Sequence, residues 1–225
     1  MWVKICGTTN VDDALLAAAS GADAVGFVFA PSSRQVTAQQ VAEITPRLPT
    51  EIEKIGVFTA QDAEQILGAV ALAGLTGVQL HGAFNPALIA ALKDGTGGHV
   101  RVLQVVSFSV EGGAEAERQF EEVLRNVLAE PQVDAVLLDT AKGGISGGTG
   151  VTFNWTQAAE ILRRVWPPES HSRLIVAGGL GPDNVAAAIA QLQPWGVDVV
   201  SGVEASPGKK DPARVRDFID AARRS

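Results

Sequence analysis

A single cysteine, Cys6, ends the short apolar run Val3-Lys4-Ile5, immediately before Gly7 and the polar Thr8-Thr9-Asn10. A lone thiol there is either buried filler or chemistry, because free cysteine packs as a small hydrophobe while its thiolate is a base or nucleophile. Asp139 follows a second apolar run, Ala135-Val136-Leu137-Leu138, again just before a glycine-rich loop; alone, it reads as readily as a helix cap or surface loop carboxylate as it does as a functional group. Their matched positions shift both readings. If both runs are parallel strands of one sheet, the two groups converge on the edge where such folds keep their active sites. Pleat parity puts Lys4 and Cys6 on one face of the first run, and Ala135, Leu137 and Asp139 on one face of the other. A thiolate and a carboxylic acid facing each other across a small cavity form a base and acid pair. Lys4, one pleat below Cys6, favours the thiolate if it faces inward and is an ordinary solvated lysine if it faces out.

Two further segments suit phosphate. Ala177 is followed by Gly178-Gly179-Leu180-Gly181-Pro182, and Val199-Val200 by Ser201-Gly202-Val203-Glu204. Glycines let backbone N–H groups approach an anion closely, and loops after the last two strands of a barrel recurrently hold phosphate. Taken singly, either segment is a tight turn. Arg34, in Pro31-Ser32-Ser33-Arg34, can fork onto a carboxylate or lie exposed in its loop. His81 is the one histidine directly at a strand end, whereas His99 and His171 sit in polar connectors and read as surface residues. No histidine pair or cysteine cluster has metal-ligand spacing. Lys209-Lys210, before the last helical segment, reads as a solvated turn.

Positioning these groups requires a regular frame, and the chain supplies one. Apolar runs at 3–6, 24–29, 55–58, 77–80, 102–106, 135–138, 174–177 and 197–201 predict eight strands. Helical spacing recurs between them at 11–20, 38–48, 62–73, 86–92, 114–128, 155–165, 182–192 and 212–222. Start signals support several of these: Thr9 before Asp12, Asn154 before Gln157, and Pro182 beside Asp183 and Asn184. Continuous apolar strands alternating with helices predict a parallel sheet covered by helices, and eight such units predict a closed (β/α)8 TIM barrel occupying residues 1–225 as one α/β domain. An open doubly wound sheet is the alternative, but no G-x-G-x-x-G follows the first strand. The run Gly143-Gly144-Ile145-Ser146-Gly147-Gly148-Thr149-Gly150 is too short for a linker and reads as a mobile loop over a site.

Composition bounds the partners. With 18 Lys and Arg against 25 Asp and Glu, the net charge of −7 argues against nucleic acid and anionic membrane, though not against a small anion held by backbone N–H groups. One cysteine forms no internal disulfide, no apolar run is long enough to span a bilayer, and the N-terminus lacks signal-peptide regions, so a cytoplasmic location is expected.

The blocks Lys4-Ile5-Cys6-Gly7-Thr8, Gly26-Phe27-Val28-Phe29 with Pro31-Ser32-Ser33-Arg34, and Gly77-Val78-Gln79-Leu80-His81-Gly82 now belong together with later ones. These are Leu138-Asp139 with Gly147-Gly148-Thr149-Gly150 and Phe153-Asn154-Trp155, Ala177-Gly178-Gly179-Leu180 with Pro182 and Asn184-Val185, and Asp198-Val199 with Ser201-Gly202-Val203-Glu204 and Pro207-Gly208-Lys209-Lys210-Asp211. In this order they resemble the phosphoribosylanthranilate isomerases end to end. The resemblance implies an Amadori rearrangement in tryptophan biosynthesis, turning N-(5-phosphoribosyl)anthranilate into 1-(2-carboxyphenylamino)-1-deoxyribulose 5-phosphate without cofactor or metal. It implies Asp139 as general acid, Cys6 as general base and Arg34 on the anthranilate carboxylate. His81 and Asp198 would line the pocket, and Gly178, Gly179, Ser201, Gly202 and Val203 would grip the phosphate. The implied partner is a small phosphosugar, bound by a monomer or a homodimer. Three alternatives have their own signatures. A histidine-pathway or dual-substrate isomerase would carry aspartate where Cys6 stands, indole-glycerol-phosphate synthase would place a lysine at a strand end, and a noncatalytic phosphate-binding barrel would need neither Cys6 nor Asp139.

Overall fold

The eight apolar runs form parallel strands whose hydrogen bonds close into a ring. A computed structural model describes residues 1–109, 113–142, 145–146 and 154–225. In chain order the strands are β1 (Trp2–Ile5), β2 (Ala24–Val28), β3 (Glu53–Phe58), β4 (Gly77–Leu80), β5 (Arg101–Ser109), β6 (Ala135–Lys142), β7 (Ile145–Ser146), β8 (Arg173–Val176), β9 (Gly196–Val199), β10 (Glu204–Ser206) and β11 (Lys209–Lys210). The sheet runs β5-β4-β3-β2-β1-β9-β8-β6, and β5 pairs with β6 to shut it. All eight of these pairings are parallel, so the expected TIM barrel is the fold. Of the glycine-rich run 143–150, only the backbone of β7 is described, paired antiparallel to β6; the rest, and Phe153, lie outside the described residues.

Register determines which side chains meet inside. Lys4 pairs with Ala24 on one side and Asp198 on the other, which sets the ammonium and the carboxylate side by side on the inner face. Trp2, Ala24, Ile55, Leu103, Val105, Ala135, Leu137, Ile175 and Ala177 fill the interior. The other face of each strand joins a larger core under the helices. At the opposite end from the strand C-termini, Trp2 stacks on Trp195 with centroids 5.1 Å apart, and the Arg173 guanidinium sits 4.4 Å from the Trp195 ring. This plug leaves the C-terminal rim as the open end.

The helices are α1 (Val11–Ala19), α2 (Ala38–Ile44), α3 (Ala63–Ala73), α4 (Pro86–Gly95), α5 (Ala114–Leu128), α6 (Trp155–Val165), α7 (Val185–Leu192) and α8 (Pro212–Arg224). Six of the eight starts carry a side-chain cap, and three departures from the sequence reading have local causes. Asn10, not Thr9, caps α1 by accepting from the Asp13 N–H at 2.9 Å, while the Thr9 hydroxyl donates to the Gly208 carbonyl. Helix α2 ends at Ile44 in a turn over Thr45–Arg47, because Pro46 has no N–H to continue the ladder. Helix α7 starts three residues late: Asn184 accepts from the Gly181 N–H (2.8 Å) and donates to the Gly179 carbonyl (3.0 Å). Its side chain is spent shaping the preceding loop. Strands β5 and β6 also outrun their apolar runs, staying paired as far as Ser109 and Ala141, so Asp139 lies within a strand.

Candidate active site

Cys6, Arg34, His81, Asp139 and Asp198 come from just after β1, from the loop after β2, from just after β4, from β6 and from β9, yet they line one cavity of about 200 Å³ at the barrel mouth. Of the two orientations open to Lys4, the inward one holds. Its side chain is fully buried, donating to Gln79 Oε1 at 2.8 Å and Asp198 Oδ1 at 3.1 Å. A lysine stays charged there because it has an anion and an acceptor; burial pulls its pKa down, and Asp198 and Cys6 together outweigh that and raise it. The site has room for both Lys4 and Cys6 because β2 carries a glycine. A Cβ on Gly26 would fall 2.5 Å from Cys6 Sγ and 2.9 Å from Lys4 Cε.

Lys4 does not by itself make Cys6 acidic. Burial pushes the thiol's pKa up, Asp198 adds to this, and the charges of Lys4 and Lys210 only partly oppose it. Cys6 therefore rests as a thiol. Asp139 is displaced in the direction an acid needs: burial, reinforced by Asp198, lifts it from an ordinary 3.8 to about 6, against the pull of the Thr140 N–H at 2.7 Å and of Lys4. His81 is half-buried, and burial together with Lys4 pushes its pKa down, which keeps the ring neutral near pH 7.

Arg34 is not a free loop side chain. Its Nε donates to both Glu204 oxygens at 2.9 and 3.1 Å, and its Nη2 donates to Oε2 at 2.7 Å. Lys210 does not lie in the solvated turn that its sequence setting suggests: its side chain is fully buried. The β10–β11 hairpin folds it inward, where Nζ donates to the Cys6 carbonyl at 2.5 Å, the Val200 carbonyl at 3.2 Å and Glu204 Oε1 at 3.2 Å. Of the two lysines, only Lys209 takes the exposed side of that hairpin.

The glycine loops meet. A Cβ on Gly202 would lie 2.0 Å from the Leu180 carbonyl oxygen, so only glycine permits this approach. Gly179, Gly181, Ser201 and Gly202 border a second cavity of about 500 Å³, which Arg214 of α8 also borders. Gly178 and Val203 border neither cavity. Val203 is fully buried, and Gly178, at φ +81°, lets the chain pass Thr140, whose Oγ1 would be 2.1 Å from an added Cβ.

The model of the N-(5'-phosphoribosyl)anthranilate isomerase family matches residues 3–221. The chain belongs to this isomerase family. It is 42% identical over 222 residues to the N-(5'-phosphoribosyl)anthranilate isomerase of Pelobacter propionicus, covering 98% of this chain and 95% of that one. The Deinococcus radiodurans enzyme is 42% identical over 224 residues, covering 99% and 97%. Among solved structures, the phosphoribosylanthranilate isomerase of Thermotoga maritima superposes with a TM-score of 0.84 at 37% identity, both chains covered in full. A phosphoribosylanthranilate isomerase crystallised with reduced 1-(o-carboxyphenylamino)-1-deoxyribulose 5-phosphate gives 0.80 at 35%, again covering both chains.

For a phosphoribosylanthranilate isomerase, sequence reasoning left four mouth residues without a role: Gln79, Gly26, Glu204 and Lys210. Gln79 had a signal in its parity, since it stands on the inward face of an apolar strand. Gly26 and Glu204 stood inside the quoted blocks, but their partners are distant in sequence. Among the described residues no helix is long and apolar enough to cross a membrane.

Proposed function

We propose that this isomerase, assigned by family to tryptophan biosynthesis, rearranges N-(5-phosphoribosyl)anthranilate with Asp139 as general acid and Cys6 as general base. The observation carrying this reading is that the chain's single thiol and a carboxyl lifted to about 6 line the same mouth cavity. Asp139 gives its proton to the furanose ring oxygen as the bond from that oxygen to C1 breaks, and the anthranilate nitrogen lone pair forms the C1 iminium. The Cys6 thiolate then takes the C2 proton, and the C2–H electrons flow toward the iminium to give an enolamine. Proton return to C1 and loss of the enol proton give the C2 ketone. No atom is exchanged with a cofactor in this sequence. Two fixed groups on opposite steps are what such a rearrangement demands of its catalyst.

In the same reading, Arg34 holds the anthranilate carboxylate through the part of its guanidinium that Glu204 leaves unused. His81, held neutral, and Asp198 line the substrate. The loops at Gly178-Gly179 and Ser201-Gly202-Val203 hold the phosphate through backbone N–H groups. The substrate is a free phosphosugar, and the whole chain acts as one barrel domain in the cytoplasm, as a monomer or a homodimer. The test is loss of phosphoribosylanthranilate fluorescence on adding purified protein, with the histidine-pathway aminoaldose run alongside. Turnover of the first alone supports the reading, and no turnover of it would refute the reading. A crystal soaked in phosphate should show the anion against the Gly179 and Gly202 N–H groups.

A further inference from the structure

We propose that Glu204 is the positioning residue for Arg34, setting how well the isomerase distinguishes substrates that carry an aryl carboxylate from those that do not. The inference rests on the reading of Arg34 as the carboxylate holder and adds a residue to it.

The geometry is specific. Glu204 takes both the Nε and Nη2 hydrogen bonds of Arg34, the edge-on fork that fixes a guanidinium in plane and direction. Arg34 keeps donors on Nη1 and the outer side of Nη2, and it borders the mouth cavity together with Cys6 and His81. Glu204 is itself immobilised: its side chain is 4% exposed, and Oε1 accepts from Lys210 Nζ at 3.2 Å and from the Gly208 N–H at 3.3 Å. The opposite flank of Arg34 is closed by Gly7, where a Cβ would lie 2.8 Å from Arg34 Cδ. Lys210 carries the same hairpin onto the Cys6 carbonyl at 2.5 Å. One buried carboxylate thus sits between the group read as grasping the anthranilate end and the backbone that presents the thiol.

The charge balance agrees with a positioning role. Burial alone would push the Glu204 carboxyl up, but the bonds from Arg34 and the charge of Lys210 outweigh it and hold the carboxyl below its ordinary value, so it stays ionised across the working pH range. A side chain held this tightly by two cations has little left to offer a substrate. Its contribution therefore passes through Arg34. Without it, Arg34 regains rotamer freedom at the mouth, and its orientation must be fixed anew at each binding event.

The test compares Glu204→Gln with wild type on phosphoribosylanthranilate and on the carboxylate-free phosphoribosylaniline analogue. Glutamine keeps the shape and removes the charge. Expected is a KM for phosphoribosylanthranilate raised about tenfold, the scale of one charge-assisted hydrogen bond, with kcat within about twofold and KM for the aniline analogue unchanged. In the Arg34→Ala background the Glu204→Gln change should have no further effect, since a residue acting through Arg34 is silent without it. Equal KM losses on both substrates, a fall in kcat alone, or additive losses in the double variant would overturn the inference. Should Glu204→Gln fail to fold, Glu204→Asp keeps the charge on a shorter arm, and the same substrate comparison decides. A wild-type protein inert toward phosphoribosylanthranilate removes the functional reading and this inference together; an active wild type whose Glu204 variants lose both substrates equally removes the inference alone.

Discussion

Lys4 Nζ lies 3.1 Å from Asp198 Oδ1 on the inner face of the barrel, with neither side chain more than 4% exposed, one pleat below the only thiol in the chain. Removing one partner of such a pair leaves an uncompensated buried charge. Lys4→Met should therefore lower unfolding free energy by about 3–5 kcal/mol, and Lys4→Met with Asp198→Asn should recover part of it. Because Lys4 also opposes the upward shift of the Cys6 thiol, alkylation of Cys6 by iodoacetamide should need higher pH in Lys4→Met than in wild type. With one cysteine, labelled protein measured by mass reports that site directly. An unchanged alkylation profile would show that Lys4 only fills the barrel.

Asp139 carries a cost that stability measurements can read. Its folded pKa is raised from 3.8 to about 6, so the native state holds this proton more tightly than the unfolded chain does. Stability from this group is present below about 4 and is lost as pH rises through about 6, a penalty on the order of 3 kcal/mol at roughly 1.4 kcal/mol per pK unit. Asparagine cannot ionise. Urea unfolding of Asp139→Asn should give a stability that gains on wild type by 1–3 kcal/mol, to order of magnitude, between pH 4 and pH 7.5. A constant difference across that range would mean that Asp139 is not displaced.

The two displaced groups also fix the shape of the rate profile. At pH 7.5 most molecules hold the Cys6 proton and lack the Asp139 proton, the reverse of the form proposed to react. The reactive form differs only in where that one proton sits, so its share does not change between the two pKa values. The profile of kcat/KM should rise through its midpoint at about pH 6 to a plateau, stay level, and fall only above the raised thiol value, beyond 9.0. A decline between pH 6 and 8 would contradict this pairing.

Gly26→Ala tests the space under the thiol. The added methyl would stand 2.5 Å from Cys6 Sγ, so the side chains must shift, at about 1–3 kcal/mol of overpacking. A displaced thiol should lower kcat more than it raises KM, while far-ultraviolet circular dichroism stays that of a barrel. Wild-type kcat in this variant would show that Cys6 need not sit where it does.

How much of this was legible in sequence depended on distance along the chain. Strands buried on both faces read as continuous apolar runs, so Cys6 and Asp139 could be placed at the rim from short local segments. Lys4 could not be oriented that way, because parity leaves two faces and the deciding partner, Asp198, is 194 residues away. Lys210 was misread for a related reason. Its strand is two residues long, too short to show alternation, and its burial is repaid by Glu204 and by carbonyls of two other segments. Asn184 stands at the N-cap of α7, as its residue type suggests, but its side-chain hydrogen bonds run back into the Gly179–Gly181 turn instead of capping the helix.

The most direct test of the acid and base pair is single-turnover loss of phosphoribosylanthranilate by Cys6→Ala, measured beside binding of reduced 1-(o-carboxyphenylamino)-1-deoxyribulose 5-phosphate to the same protein. Cys6 as the base requires that the rate fall by about 10²–10⁴-fold while the analogue binds within a few-fold of wild type. Full turnover by Cys6→Ala would contradict it.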